Sequence, residues 1–282
     1  MTEFLSLPDA IARYAQDGMI VALEGFTHLI PFAAGHEIIR QQRRDLTLIR
    51  MTPDLIYDQM IGMGCARKLV FSWGGNPGVG SLHRLRDAVE HGWPRPLEIE
   101  EHSHAAMANA YAAGAAGLPC AILRGYLGSD LVNYNPNIRF ITCPFTGEQL
   151  AAVPAIRPDL AIIHAQRADH AGNVLIEGIT GVQKEAVLAA THAIVTVEEV
   201  VDDLRAKPQL DGAAVVDGQR GGGSARRRAA ILRAGLLWPR QCLLHRLGCD
   251  YPRPRDISSL DGDKRPELPF SRSGRRGRGM RE

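Results

Sequence analysis

The sequence predicts an α/β protein built on an open, mostly parallel, doubly wound sheet. Short apolar strands alternate with helical segments from the start of the chain to about residue 200, the pattern of repeated βαβ units. The densest apolar run, Leu160–Ile163, is unbroken rather than alternating, as expected for a strand covered on both faces. Polar residues follow it at once: His164, Gln166 and Asp169, then a Gly172-Asn173 turn. Ligands of open parallel sheets bind outside the carboxyl ends of the strands, so polar groups placed there are candidates for function.

The elements follow in order. Leu7, Ile11 and Tyr14 share one helical face, and Asp17-Gly18 ends that helix. Ile20–Leu23 is a strand closed by Gly25-Phe26-Thr27, and Pro31 opens a helix running to about Gln42. Leu46–Met51 is a strand, and Thr52-Pro53-Asp54 starts a helix to about Met63. The strand Lys68–Trp73 leads into the glycine-rich Gly74–Gly80, then a helix over Ser81–His91. Leu97–Glu101 is a short strand, and Ser103 caps an alanine-rich helix to about Ala116. Small residues crowd that helix, which predicts close packing against a neighbour. Strands are expected at Ala121–Leu123, Phe140–Cys143, Ala151–Val153, Leu160–Ala165, Val174–Ile176 and Ala193–Val197, with a helix over Gln183–Thr191 before the last.

Composition narrows the function classes. Of 282 residues, 45% are hydrophobic and 23% charged, the balance of a globular protein. A net charge of +2 gives no electrostatic case for nucleic acid. The five cysteines, Cys65, Cys120, Cys143, Cys242 and Cys249, form no Cys-x-x-Cys pair, so neither a zinc site nor a disulfide framework is expected. Reduced thiols, the lack of a basic leader before the first helix, and no run near the roughly 18 apolar residues of a membrane span point to the cytoplasm.

Two glycine loops could approach a ligand. Gly25-Phe26-Thr27 ends the first strand, where glycine permits close backbone approach and free N–H groups can receive an anion. An ordinary βα turn explains the same residues. Gly74, Gly75, Gly78 and Gly80 match neither a Walker motif nor Gly-x-Gly-x-x-Gly. His102 and His104 flank Ser103 at a helix start, a spacing unsuited to joint metal ligation. His164 is expected to satisfy backbone groups at a strand end and His170 to sit in a turn. No metal site and no catalytic histidine is assigned.

The wording Ala161-Ile-Ile-His-Ala-Gln166, with the Asp169 to Asn173 turn and Ile194–Val200, resembles the α subunit of family I CoA-transferases, the glutaconate CoA-transferase type in particular. Gly114–Pro119 and Asn135–Gly147 fit more loosely, and the resemblance covers about Leu7 to Pro208. It implies the CoA-transferase type of sheet and a subunit that moves CoA between an acyl-CoA and a small carboxylic acid. The catalytic glutamate would stand on a β partner of the same fold, in a hetero-oligomer. Coenzyme A would be a substrate, with no cofactor and no catalytic residue on this chain. The family carries Gly-Gly-Phe after its first strand; here Glu24 replaces the first glycine. The family's asparagine before a Gly-Val matches Asn76 with Gly78-Val79. The resemblance therefore implies an acyl-CoA site built from Gly25, Phe26, Thr27, Gly74, Gly75, Asn76, Gly78 and Ser103. Glu24 lacks the sequence setting of the β-subunit nucleophile. Other readings are a subunit of a CoA-transferase-like acyl-CoA hydrolase or ring-opening enzyme and, from another class, an effector-binding or sugar-phosphate isomerase-like module.

After Pro208 the composition turns to Arg, Gly and Pro, with Arg226-Arg227-Arg228, Arg275-Arg276 and Arg278. Residues 1–208 are thus expected to form the CoA-transferase domain and 209–282 a basic, poorly ordered tail. Read one base later, Gly212–Gly262 is compatible with the family's carboxyl-terminal wording, including Gly-Gly-Ala-x-Pro-Ser and Asp-Asn-x-Phe. The expectation is a reading-frame shift near Gln209–Gly212, which could leave the product inactive. A genuine disordered basic arm would have the same composition.

Overall fold

A computed structural model describes residues 2–75, 80–204, 213–216 and 228–233. Among the described residues, ten strands form one sheet, whose main path is β1 (Thr2–Phe4), β13 (Arg228–Arg233), β11 (His192–Val201), β9 (Leu160–Asp169), β2 (Ile20–Glu24), β3 (Leu46–Ile49), β4 (Ala66–Phe71) and β5 (Glu98–Glu101). Every pairing along that path is parallel. The chain runs outward from β2 to β5, then returns to β2's other side through β9, so the strand order switches at β2.

Side-chain alternation explains the two layers. Val21 and Leu23 point to one face, where they pack with Ile11 of α1 (Leu7–Tyr14), Ile38 of α2 (Phe32–Arg40), Ile56 and Tyr57 of α3 (Leu55–Gly62) and Leu85 of α4 (His83–Glu90). Ala22 points to the other face, where it meets Met107 and Tyr111 of α5 (His104–Ala115) and Ala186 of α7 (Gln183–Ala189). Period two in the strands and 3.6 in the helices produce this sandwich. The small residues of α5 do allow close packing: a Cβ on Gly114 would lie 2.0 Å from the Ile156 carbonyl oxygen and 3.0 Å from Ala189 Cβ.

Several expected boundaries move. β9 does not end at Ala165 but runs on to Asp169, because β11 pairs with it as far as Val201. The Gly172-Asn173 turn then starts β10 (Val174–Glu177), antiparallel to β9 and to β12 (Ala213–Val216). Inside that turn Asp169 accepts hydrogen bonds from the Asn173 backbone and side-chain nitrogens, at 2.9 and 2.8 Å. His164 is mid-strand, with Nδ1 2.9 Å from Thr196 Oγ1 on β11, so its partner is a side chain rather than strand-end backbone. The strands expected near residues 121, 140 and 151 stand apart from the main sheet. β6 (Cys120–Leu123), β8 (Gln149–Pro154) and β7 (Arg139–Thr142) make a three-stranded antiparallel sheet packed on α5. The short connection between β7 and β8 permits only an antiparallel pairing. β1 and α6 (Leu131–Tyr134) had no sequence signal long enough to identify them. Most of residues 209–282 lies outside the described residues; β12 and β13 are the described parts.

Candidate active site

The site opens where β2 and β3 part. Their ladder ends at Ala22 and Ile49, leaving the Leu23 N–H and Ile49 C=O without each other. Tyr57 of α3 fills that gap: its hydroxyl accepts from the Leu23 N–H at 3.0 Å and donates to the Ile49 oxygen at 2.7 Å. One residue further, the Arg50 guanidinium enters the widening crevice. It donates to the carbonyls of Leu23 at 3.1 Å, Gly25 at 2.8 Å and Thr52 at 2.8 Å, and pairs with Asp54 at 2.9 Å. Asp54 also caps α3, accepting from the Ile56 N–H. Buried backbone carbonyls and a carboxylate thus surround a buried cation, which is the condition for such a charge to be tolerated.

Above this polar base lies a cavity of about 580 Å³, within the size range of small-molecule sites. Its walls come from the ends of β2 and β3, from Trp73, from His104 at the start of α5, and from residues 179–182 before α7. Most of its surface is apolar, and Phe26, Trp73 and Ile179 expose large side chains. Glu24 is only 4% exposed, yet it lines the cavity. Its Oε1 accepts from Tyr111 Oη at 2.8 Å and from the Met51 N–H at 3.2 Å. Burial pushes the Glu24 carboxyl up to about 7, against the opposing pull of Arg50, Tyr111 and Met51. Burial also raises the Tyr57 and Tyr111 hydroxyls, so both stay protonated donors.

A second chain of polar groups runs along the wall. Ser72 donates its one hydroxyl proton to the Met51 carbonyl, so it accepts from His104 Nδ1 at 2.9 Å. His104 Nε2 then faces Thr52 Oγ1 at 3.1 Å. The imidazole is thereby fixed in orientation beside the cavity.

The residues expected from the sequence divide. Gly25 and Phe26 line the cavity, and Thr27 begins the 3-10 turn Thr27–Leu29 beside it. Gly25 must be glycine, since a Cβ there would lie 2.0 Å from the Leu29 carbonyl oxygen. Gly74 and Gly75 sit behind the wall, where a Cβ on Gly75 would strike the Trp73 ring at 2.6 Å. Asn76 and Gly78 lie outside the described residues. Ser103 is turned away: its Oγ caps α5 by accepting from the Ala106 N–H, and its neighbour His104 reaches the cavity instead. Sequence reasoning missed Arg50, Asp54, Trp73, His104, Tyr111 and the 179–182 loop. Arg50 carried a signal, a charge at the carboxyl end of an apolar strand; Tyr111 carried none. Among the described residues no group of three or more His, Cys, Asp or Glu side chains could hold a metal ion, and no helix is long and apolar enough to cross a membrane.

The sequence model of the coenzyme A transferase family matches residues 4–211. The chain belongs to the coenzyme A transferase family. It is 71% identical over 206 residues, 73% of each chain, to the A-type subunit of the 3-oxoadipate CoA-transferase of Pseudomonas knackmussii. The crystal structure of glutaconate CoA-transferase from Acidaminococcus fermentans superposes with a TM-score of 0.70 at 31% identity, covering 82% of this chain and 75% of that one. The IpdA subunit of the cholesterol ring-cleaving hydrolase of Rhodococcus jostii is 27% identical over 215 residues, 70% of this chain and 68% of that one. This CoA-transferase fold is therefore the α/β, mostly parallel sheet that the sequence predicts, with the antiparallel additions described above.

Proposed function

We propose that this chain is the A-type component of a two-subunit CoA-transferase whose acid substrate is a small dicarboxylic acid of the 3-oxoadipate type. The 71% identity to a protein named as that component of a 3-oxoadipate CoA-transferase carries this reading. The catalytic glutamate belongs to the partner. Its carboxylate attacks the acyl-CoA carbonyl and expels CoA thiolate, forming an acyl–glutamyl anhydride. The thiolate then attacks the glutamyl carbonyl, releasing the acid and leaving a glutamyl-CoA thioester. The second acid reverses both steps and departs as its CoA ester. This chain supplies the acid pocket, with Gly25, Phe26 and Thr27 at the acyl-CoA site, Gly74 and Gly75 supporting its Trp73 wall from behind, and loop N–H groups facing developing negative charge. Coenzyme A is a substrate, no metal or other cofactor takes part, and the complex works in the cytoplasm.

A hydrolase reading has one observation behind it, the 27% identity to a ring-cleaving hydrolase subunit. Co-expression with the B-type partner, followed by assay of 3-oxoadipate against a panel of short acyl-CoA donors, separates the two. A transferase forms 3-oxoadipyl-CoA only when the acid is present. Loss of acyl-CoA without an acceptor would overturn the transferase reading.

The abrupt change after residue 208 fits a shifted reading frame. The match to the Pseudomonas protein covers 206 residues, 73% of each chain, and the family model ends at residue 211, close to where the composition changes. Resequencing the gene across codons 205–215 tests this, and a confirmed single frame would reject it.

A further inference from the structure

We propose that Glu24 is a specificity-determining residue: protonated, it donates a hydrogen bond from Oε2 to the carboxylate at the far end of a dicarboxylic substrate bound in the cavity. This inference rests on the reading of the chain as part of a CoA-transferase that takes such acids.

The argument starts from charge balance. Two carboxyl groups, Glu24 and Asp54, and one guanidinium, Arg50, are buried together at the cavity base. Arg50 is already committed to Asp54 and to three backbone carbonyls. An ionised Glu24 would leave a net negative charge in an apolar surround, so the neutral acid is the balanced state. The groups facing Glu24 are Arg50 from the end of β3, Asp54 and Tyr57 from α3 and its cap, and Tyr111 from α5; His104 stands on the same cavity wall. Arg50 and the hydrogen bonds from Tyr111 and the Met51 N–H favour the ionised form, but burial outweighs them, and the Asp54 charge acts with burial.

Hydrogen-bond geometry then places the proton. Tyr111 and the Met51 N–H both donate to Oε1, which fills the two lone pairs of a carbonyl-type oxygen. The acidic proton therefore belongs on Oε2. A short donor at the base of a largely apolar cavity has little to bind except an acceptor brought by the ligand. A carboxylate is the strongest such acceptor, because charge-assisted hydrogen bonds are about twice as strong as neutral ones.

The test uses the assembled two-subunit enzyme. The Michaelis constants for 3-oxoadipate and for 3-oxohexanoate, which lacks the far carboxylate, are measured at saturating acyl-CoA from pH 6 to pH 8. With a Glu24 midpoint at about 7, KM for 3-oxoadipate should rise roughly tenfold across that range while KM for 3-oxohexanoate stays level. Glu24→Gln keeps a donor that cannot ionise, so its preference for the diacid should no longer depend on pH. Tyr111→Phe removes a hydrogen bond that favours the ionised form, so its midpoint should move to higher pH, a second readout should Glu24→Gln fail to fold. A diacid preference that is constant with pH in the wild type, or a midpoint unmoved by Tyr111→Phe, would overturn the proposal. Absence of any CoA transfer in the wild-type pair would instead reject the underlying function.

Discussion

Arg50 Nη2 lies 2.9 Å from Asp54 Oδ2, with both side chains under a tenth exposed, and this pair ties the carboxyl end of β3 to the start of α3. Replacing Arg50 with Met strands a buried carboxylate and three carbonyls. The expected cost is roughly 3–5 kcal/mol of folding stability. Asp54→Ser keeps a capping oxygen and removes the charge, so the double variant R50M/D54S should recover part of that loss. Urea unfolding at pH 7 measures both. A double variant as unstable as R50M would assign the cost to the carbonyls rather than to the unpaired charge.

Glu24 should make stability fall with rising pH. Its ordinary value is 4.5 and burial lifts it to about 7 in the fold. Below 4.5 the folded and unfolded chains are both protonated at this site, and no penalty exists. Between the two values the folded chain holds a proton that the unfolded chain has lost. Stability therefore declines over that window and levels off above about pH 7, by roughly 3 kcal/mol in total. Glu24→Gln should lack this component. Unfolding curves of the two proteins from pH 5 to pH 8 should draw apart in favour of the variant, and parallel curves would contradict the assignment.

Gly25→Ala should damage the site more than the fold. The added methyl carbon would lie 2.0 Å from a backbone oxygen of the Thr27–Leu29 turn, which cannot yield as a flexible side chain would. The turn must open, moving Phe26 at the cavity wall. We expect a loss of about 1–3 kcal/mol in stability and a fall of at least about tenfold in kcat/KM, since misplacement of about 1 Å can cost still more. Wild-type kinetics in this variant would show that the cavity wall tolerates the shift.

Asp169→Ala should destabilise the β9–β10 turn. The carboxylate accepts from Asn173 twice and from the Leu204 N–H. Burial raises its proton affinity, but these bonds outweigh that and hold the carboxyl below its ordinary value. Its stabilising effect is thus present above about pH 4 and lost as pH falls through the lowered value. The variant should lose roughly 2–3 kcal/mol at pH 7, with the difference from wild type shrinking in acid. Thermal unfolding at pH 7 and pH 3 checks both halves of that expectation.

Much of this protein was legible in its sequence because the relevant forces are local. Apolar runs such as Leu160–Ile163 mark strands buried on both faces, Ser103 and Asp54 cap helices through their own side chains, and Gly25 marks a turn too tight for a Cβ. The family followed from such wording in β9 and β11. The cavity itself was not legible. It exists because β2 and β3 diverge after Ala22 and Ile49, and because Tyr57, Arg50 and Tyr111 are brought into that gap from separate elements. Tyr111 stands 87 residues from Glu24 in sequence, and no periodicity links them. Sequence determined which segments form strands and helices, since backbone preference and side-chain alternation act over a few residues. Tertiary structure decided which polar groups share one desolvated space, and desolvation there raises the proton affinity of Glu24.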